Sequence, residues 1–176
     1  MNYFRHPFRI NVGFFINQAI GYSREFPFEF EKITLPVDFE IENLIGTVEI
    51  DRTQQGLRVI GNFSGSAKTA CGRCLVDFDQ PLKTHFEELY TLPIYPLSED
   101  ESFIPEDGYI DFETLVSDFL AIEVPINPMC KNDCRGLCLQ CGQNLNISDC
   151  GHLNKKRNEI SVGSKAHIRI TSRKAA

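Results

Sequence analysis

Phenylalanine takes turns with polar positions along residues 26–31, where Phe26, Phe28 and Phe30 alternate with Pro27, Glu29 and Glu31. A period of two puts one set of side chains on a buried face. Pro27 cannot donate to a hydrogen-bonded ladder, so it suits an edge strand. Residues 44–50 (LIGTVEI) and 57–63 (LRVIGNF) flank the turn-prone stretch 51–56 (DRTQQG), the pattern of a hairpin with a loop. A further strand is expected from Gly65 into Cys71, and another over residues 82–92, with Phe86, Glu88 and Tyr90 on one face. The connections are too short for helical crossovers, which predicts antiparallel pairing.

The period changes after a break. Pro93, Pro96 and the acidic stretch 98–102 (SEDES) read as a loop. Phe112, Leu115, Val116, Phe119 and Leu120 then recur at the spacing of one helical face. Asp111 can cap that helix by accepting from its first-turn amides, and Pro125 and Pro128 end it, giving a helix near residues 111–124. Residues 130–152 are rich in Cys, Gly, Asn and Asp and poor in apolar side chains. A segment of that composition cannot bury enough surface to order itself, so something else must hold it. The expected fold is α+β. An antiparallel β-rich domain with one main helix (1–129) is followed by a cysteine-rich segment (130–152) and a basic, flexible tail (153–176).

The chain has 176 residues, and 14 Phe against no Trp make Phe the main core filler. Its net charge of −6 conceals a split: residues 1–152 carry 11 Lys+Arg against 23 Asp+Glu, and residues 153–176 carry 7 against one. An anionic partner would therefore meet the tail. The start MNYFRH lacks the apolar core of a signal peptide, and no apolar run approaches the length of a membrane span. A cytoplasmic protein with no membrane partner is expected.

Cysteine changes the picture most. Cys71, Cys74, Cys130, Cys134, Cys138, Cys141 and Cys150, with His152, make eight candidate ligands, enough for two tetrahedral zinc sites. A disulfide framework would strand one of the seven thiols. Cys138-Leu139-Gln140-Cys141-Gly142 has the form of a zinc knuckle, with Gly142 freeing the backbone for a tight turn. Cys150 and His152 can complete its ligand set. By elimination, Cys71 and Cys74 pair with Cys130 and Cys134 in a second, four-cysteine site. Two structural zinc ions are thus expected, and the C-terminal segment is read as a zinc-knuckle segment.

The rival reading makes Cys71-Gly72-Arg73-Cys74 a redox dithiol of an oxidoreductase or redox sensor. That chemistry wants the first thiol at a helix N-terminus, whereas Pro81 and the alternation that follows argue for strand. Catalytic signals are otherwise thin. Asp38, Glu40, Glu42, Glu87 and Glu88 read as solvated charges, and His6, His85 and His167 as structural or solvated. No phosphate-binding glycine loop, nucleophile elbow or helical histidine pair occurs. No enzyme and no small-molecule substrate are expected. A protein-binding adaptor with structural zinc is the third reading.

Cys71-Gly72-Arg73-Cys74-Leu75 and the string CKNDCRGLCLQCGQNLNISDCGH at 130–152, with its GLC-x-x-CG-x-NLN core, resemble the YceD family of bacterial and plastid ribosomal-RNA accumulation proteins. The resemblance covers roughly residues 10–155. Family members often close the cluster with Cys-x-Cys, where this chain has Cys150-Gly151-His152, an exchange of one zinc ligand for another. Some members lack the knuckle but keep the earlier pair and ligand-type residues near 130 and 134, which implies two separable sites. The resemblance implies a role in ribosome biogenesis, in the synthesis, processing or stability of large-subunit ribosomal RNA. It implies ribosomal RNA or a ribosome-assembly protein as partner.

Overall fold

A computed structural model describes residues 7–92 and 102–152. In chain order they form β1 (Arg9–Asn11), a 3-10 turn (Gly13–Asn17), β2 (Ser23–Leu35), β3 (Phe39–Arg52), β4 (Gly56–Ala70), β5 (Asp77–Thr91), β6 (Ser102–Phe103), β7 (Tyr109–Asp111) and α1 (Glu113–Ile122). They divide into two compact units. One comprises the described residues up to Cys71 together with Val76–Cys130, and the other Gly72–Leu75 together with the described residues from Lys131.

The first unit contains every strand and the helix. Its main sheet runs β2-β3-β4-β5-β6, and β1 pairs with β7 in a second, two-stranded sheet. Alternation sets the buried face: Leu57, Val59 and Phe63 of β4 and Leu82 and Phe86 of β5 are buried, while Arg58, Asn62, Lys83 and His85 are exposed. Burying each large side chain contributes about 1.5–3 kcal/mol. Small residues make room for large partners on this face. Gly46 lies directly opposite Phe63, and a Cβ on Gly46 would collide with that ring. β3 reaches the same core with two phases. A bulge between Glu42 and Ile45, with Asn43 at φ +52°, lets both Ile41 and Leu44 face inward.

The helix covers that face through Phe112, Val116 and Leu120, all fully buried, and Phe119 stacks on Phe86 with ring centroids 5.1 Å apart. Asp111 Oδ1 accepts the Glu113 N–H at 3.0 Å, as expected of a cap, although Phe112 occupies the N-cap position. The helix is shorter than 111–124 at both ends.

Several other expectations are corrected. The stretch from Gly65 is the continuation of β4 rather than a separate strand, because the backbone stays in register with β5 from Gly56↔Thr91 to Ala70↔Asp77. β5 begins at Asp77 and runs through Pro81. Among the described residues it pairs there with β4 alone, since β6 pairs with Tyr90 and Thr91, and a strand with one free side tolerates a proline. The sheet is not wholly antiparallel. β6 is parallel to β5, and Ser102, expected in a loop, belongs to it. β1, β7 and the 3-10 turn were not anticipated, each being too short to display a period. His6, the rest of the acidic loop, His167 and the basic tail lie outside the described residues.

The second unit has no regular helix or strand among its named elements. An isolated bridge joins Leu137 and Asn144, and Leu145 is its one buried aliphatic side chain. Among the described residues no helix is long and apolar enough to cross a membrane.

Candidate metal centres

Cys71 and Cys74 stand in the loop of the β4–β5 hairpin, between the paired residues Ala70 and Asp77. The Cys71 N–H donates to the Val76 carbonyl at 3.0 Å, and Leu75, directly after the second cysteine, holds φ at +57°. The turn at Cys138 and Cys141 repeats this construction. The Cys138 N–H donates to the Gln143 carbonyl at 2.8 Å, and Gly142, again directly after the second cysteine, holds φ at +73°. In both turns the first cysteine bonds to the fifth residue beyond it. Two Cys-x-x-Cys segments far apart in sequence therefore fold as the same turn.

The ligand atoms of Cys71, Cys74, Cys130 and Cys134 all lie within 4.8 Å of one another, and so do those of Cys138, Cys141, Cys150 and His152. Cys71, Cys74, Cys134 and Cys138 are buried, Cys130, Cys150 and His152 half-buried, and Cys141 exposed. All seven cysteines are among the described residues, and none is in a disulfide. His152 turns Nδ1 toward the Cys138 sulfur, 3.8 Å away.

Tetrahedral zinc, with Zn–S near 2.3 Å and Zn–N near 2.0–2.1 Å, separates neighbouring ligand atoms by roughly 3.5–3.8 Å. Both groups fit with only a small inward shift. Their donor sets, four sulfurs in one and three sulfurs with an imidazole in the other, are those of structural zinc. The second group is also prepared electrostatically. The N–H groups of Gln140 and then Cys141, with a hydrogen bond from the Cys150 thiol, pull the Cys138 thiol down to about 6. At Cys150 the His152 N–H pulls downward, but hydrogen bonding to Cys138, burial and Cys141 together outweigh it and hold that thiol above its ordinary value. One thiolate among thiols, cradled by backbone N–H groups, is a soft anionic seat for a cation.

Residues that are not ligands build the surroundings. Gly136, at φ +73°, brings the chain so close to the Arg73 carbonyl that a Cβ would sit 3.1 Å from it. The Leu137 N–H donates to that same carbonyl at 3.1 Å, and the Arg73 guanidinium donates to the Cys134 carbonyl at 3.1 Å. Asn146 Nδ2 donates to Cys134 Sγ at 3.4 Å, and its Oδ1 accepts the Arg135 N–H at 2.9 Å. In the sequence Arg73 stands in the first cysteine string, and Gly136, Asn144 and Asn146 in the GLC-x-x-CG-x-NLN string, with no role given to any of them. The Asn-x-Asn spacing, which favours local side-chain-to-backbone bonds, was the available signal.

The hairpin position of Cys71 bears on the redox alternative. No helix begins there, so the pair lacks the helix N-terminus on which a redox dithiol is built. The residues read as solvated charges or structural histidines are placed plainly. Glu40 pairs with Lys32 and Glu42 with Lys68, each at 3.0 Å. Glu87 lies 3.8 Å from Arg58, and His85 Nδ1 is 2.9 Å from Asn62 Oδ1. Asp38 is exposed in the β2–β3 turn, and Glu88 is half-buried on the inner face.

The family described as "Large ribosomal RNA subunit accumulation protein YceD" matches residues 59–162. An uncharacterized protein of Mycobacterium tuberculosis is 31% identical over 109 residues, covering 60% of this chain and 52% of its own length. One from Mycobacterium leprae is 29% identical over 109 residues, covering 60% and 50%. The Arabidopsis thaliana protein named large ribosomal RNA subunit accumulation protein YCED homolog 1, chloroplastic, is 36% identical over 64 residues, covering 35% and 20%. The chain spans about half the length of the mycobacterial relatives it matches. No solved structure matches.

Proposed function

The chain belongs to the YceD family, and from that premise we propose that it is a non-enzymatic, zinc-stabilised factor supporting the synthesis, processing or stability of large-subunit ribosomal RNA. The observation that carries the reading is the convergence of eight ligand side chains into two groups of four. Cys71, Cys74, Cys130 and Cys134 would hold one zinc ion, and Cys138, Cys141, Cys150 and His152 a second. With four protein ligands in each set no position stays open for a substrate, the arrangement of a structural rather than a catalytic centre. Zinc bound there supplies folding free energy, on the order of 10–16 kcal/mol in structural zinc peptides near neutral pH. Residues 130–152 have few apolar side chains to supply it instead.

The ribosomal role is carried over from the plant relatives, whose names state large-subunit ribosomal RNA accumulation. The partner we propose is ribosomal RNA, met by Lys155, Lys156, Arg157, Lys165, Arg169, Arg173 and Lys174 of the basic tail, or else a ribosome-assembly protein. The compartment is the cytoplasm; the plant relatives are named as chloroplastic.

Two measurements test the reading together. Elemental analysis of full-length protein purified without chelator should give about two zinc ions per chain. Cells depleted of the protein should lose large-subunit relative to small-subunit ribosomal RNA. Metal-free protein would remove the zinc half of the proposal, and an unchanged RNA ratio the ribosomal half.

A further inference from the structure

We propose that Asn146 couples the two ligand groups: carried on the loop of the second, it holds Cys134 of the first, so that loading the second tightens the first. The inference rests on the metal reading above. Asn146 lies between Cys141 and Cys150 in sequence, yet its side chain is spent on the segment around Cys134. Nδ2 donates to Cys134 Sγ at 3.4 Å and to Asn144 Oδ1 at 3.0 Å, while Oδ1 accepts the N–H of Arg135, the residue after Cys134, at 2.9 Å. One side chain thus fixes both the sulfur and the peptide that follows it. An N–H donor on a ligating sulfur takes up part of its charge and sets its direction.

Closure of the second group is what holds Asn146 in place. Between Cys141 and Cys150 the loop buries only Leu145, so apolar packing alone gives it little reason to keep one shape. Two backbone contacts align the loop with the segment after Cys134: the Leu145 N–H donates to Gly136 O at 2.9 Å, and Leu137 bridges to Asn144. Asn144 Oδ1 also accepts the Asn146 N–H at 2.9 Å. The loop ends where Cys150 and His152 meet Cys138 and Cys141. Removing that meeting loosens the loop, and the donor to Cys134 goes with it. Asn146 is therefore a positioning residue for a centre it does not ligate.

Co(II) titration of the full-length protein tests this. A four-thiolate site and a three-thiolate, one-imidazole site have different ligand fields, so their visible bands follow each site separately. Wild type should take up two Co(II) ions. His152→Ala should abolish the second spectrum and also weaken the first site about tenfold or more, the usual scale for lost supporting contacts. Asn146→Asp is nearly isosteric and keeps an acceptor for Arg135, but sets a carboxylate oxygen against the sulfur. It should weaken the first site by a similar factor and shift its thiolate charge-transfer band, with the second spectrum unchanged. The double variant should add little to either single one, because both break the same link. Ser148→Ala, which removes the 3.0 Å acceptor of Gln143 Nε2 elsewhere on the loop, should leave both sites as they are. A first site indifferent to both variants, or additive losses in the double variant, would overturn the coupling while leaving the metal reading intact. Wild type that takes up no Co(II) would overturn both.

Discussion

The ring of Phe86 occupies the space where a side chain on Gly61, its direct partner across β4 and β5, would begin. A glycine in mid-strand ordinarily weakens a sheet, but here it admits an aromatic ring that stacks on Phe119 of the helix. Gly61→Ala should therefore destabilise the protein by about 1–3 kcal/mol through overpacking, read as a lower urea midpoint. Phe86→Leu in the same chain should recover part of the loss. A neutral Gly61→Ala would mean that the ring is not fixed there.

The β2–β3 turn offers the opposite case. Val37 and Asp38 hold φ at +59° and +57°, and Val37 is 93% exposed. A β-branched side chain in the left-handed region costs about 1–2 kcal/mol and here buries almost nothing in return. Val37→Asn should raise stability by about 0.5–1 kcal/mol, again in urea. A lower midpoint would show that valine makes a contact at that turn.

Acid sensitivity should trace in part to Asp51. Burial pushes its carboxyl up, but hydrogen bonds from Arg58 and Ser23, with the Arg58 charge, outweigh this and hold it below its ordinary value. Arg58 Nε donates to Asp51 Oδ2 at 3.0 Å. A depressed carboxyl contributes stability that is complete above the unfolded-state value and lost as pH falls through the folded-state one. Arg58 is well exposed, so solvent screening keeps the contribution small. Asp51→Asn should thus lower the urea midpoint at about pH 7 and lower it less at about pH 2. An equal gap at both would assign the effect to packing.

The division of ligands is open to direct count. Cys71→Ser should lower zinc content by about one ion per chain and leave the spectrum of a three-thiolate, one-imidazole site in Co(II)-loaded protein. If instead Cys71→Ser stayed fully metallated and lost a disulfide-reductase activity present in the parent, the redox reading would replace the metal one.

Tail and centres should separate. Every proposed ligand lies at or before His152, so protein truncated after residue 152 should keep its metal. Its binding to large-subunit ribosomal RNA fragments should weaken and lose most of its salt dependence, since the tail carries 7 of the 18 Lys+Arg. Equal affinity and equal salt slopes for both proteins would favour the adaptor reading.

The long strands were legible because alternation persists in them: Phe26 to Phe30 and Leu57 to Phe63 declare one buried face each. The strand expected over residues 82–92 starts earlier, at Asp77, because pairing with β4 carries it through Pro81. The bulge at Asn43 shifts the phase of β3 between Ile41 and Leu44, so residues 39–43 did not read as one strand with 44–50. β1, β7 and β6 depend on partners distant in sequence and carry no local signal. The two sets of four side chains that come together are those that residue type and spacing point to. Arg73 and Asn146 were not legible in this way, because what they do depends on the fold bringing Cys134 to them.

Leu75 and Gly142 occupy the same left-handed position in two copies of one turn, at φ +57° and +73°. Glycine adopts that conformation at no steric cost, whereas leucine there costs about 1–2 kcal/mol. The two copies are thus unequal: the hairpin loop at Cys71 carries a backbone penalty that the turn at Cys138 is spared, and Leu75→Gly is the exchange that would level them.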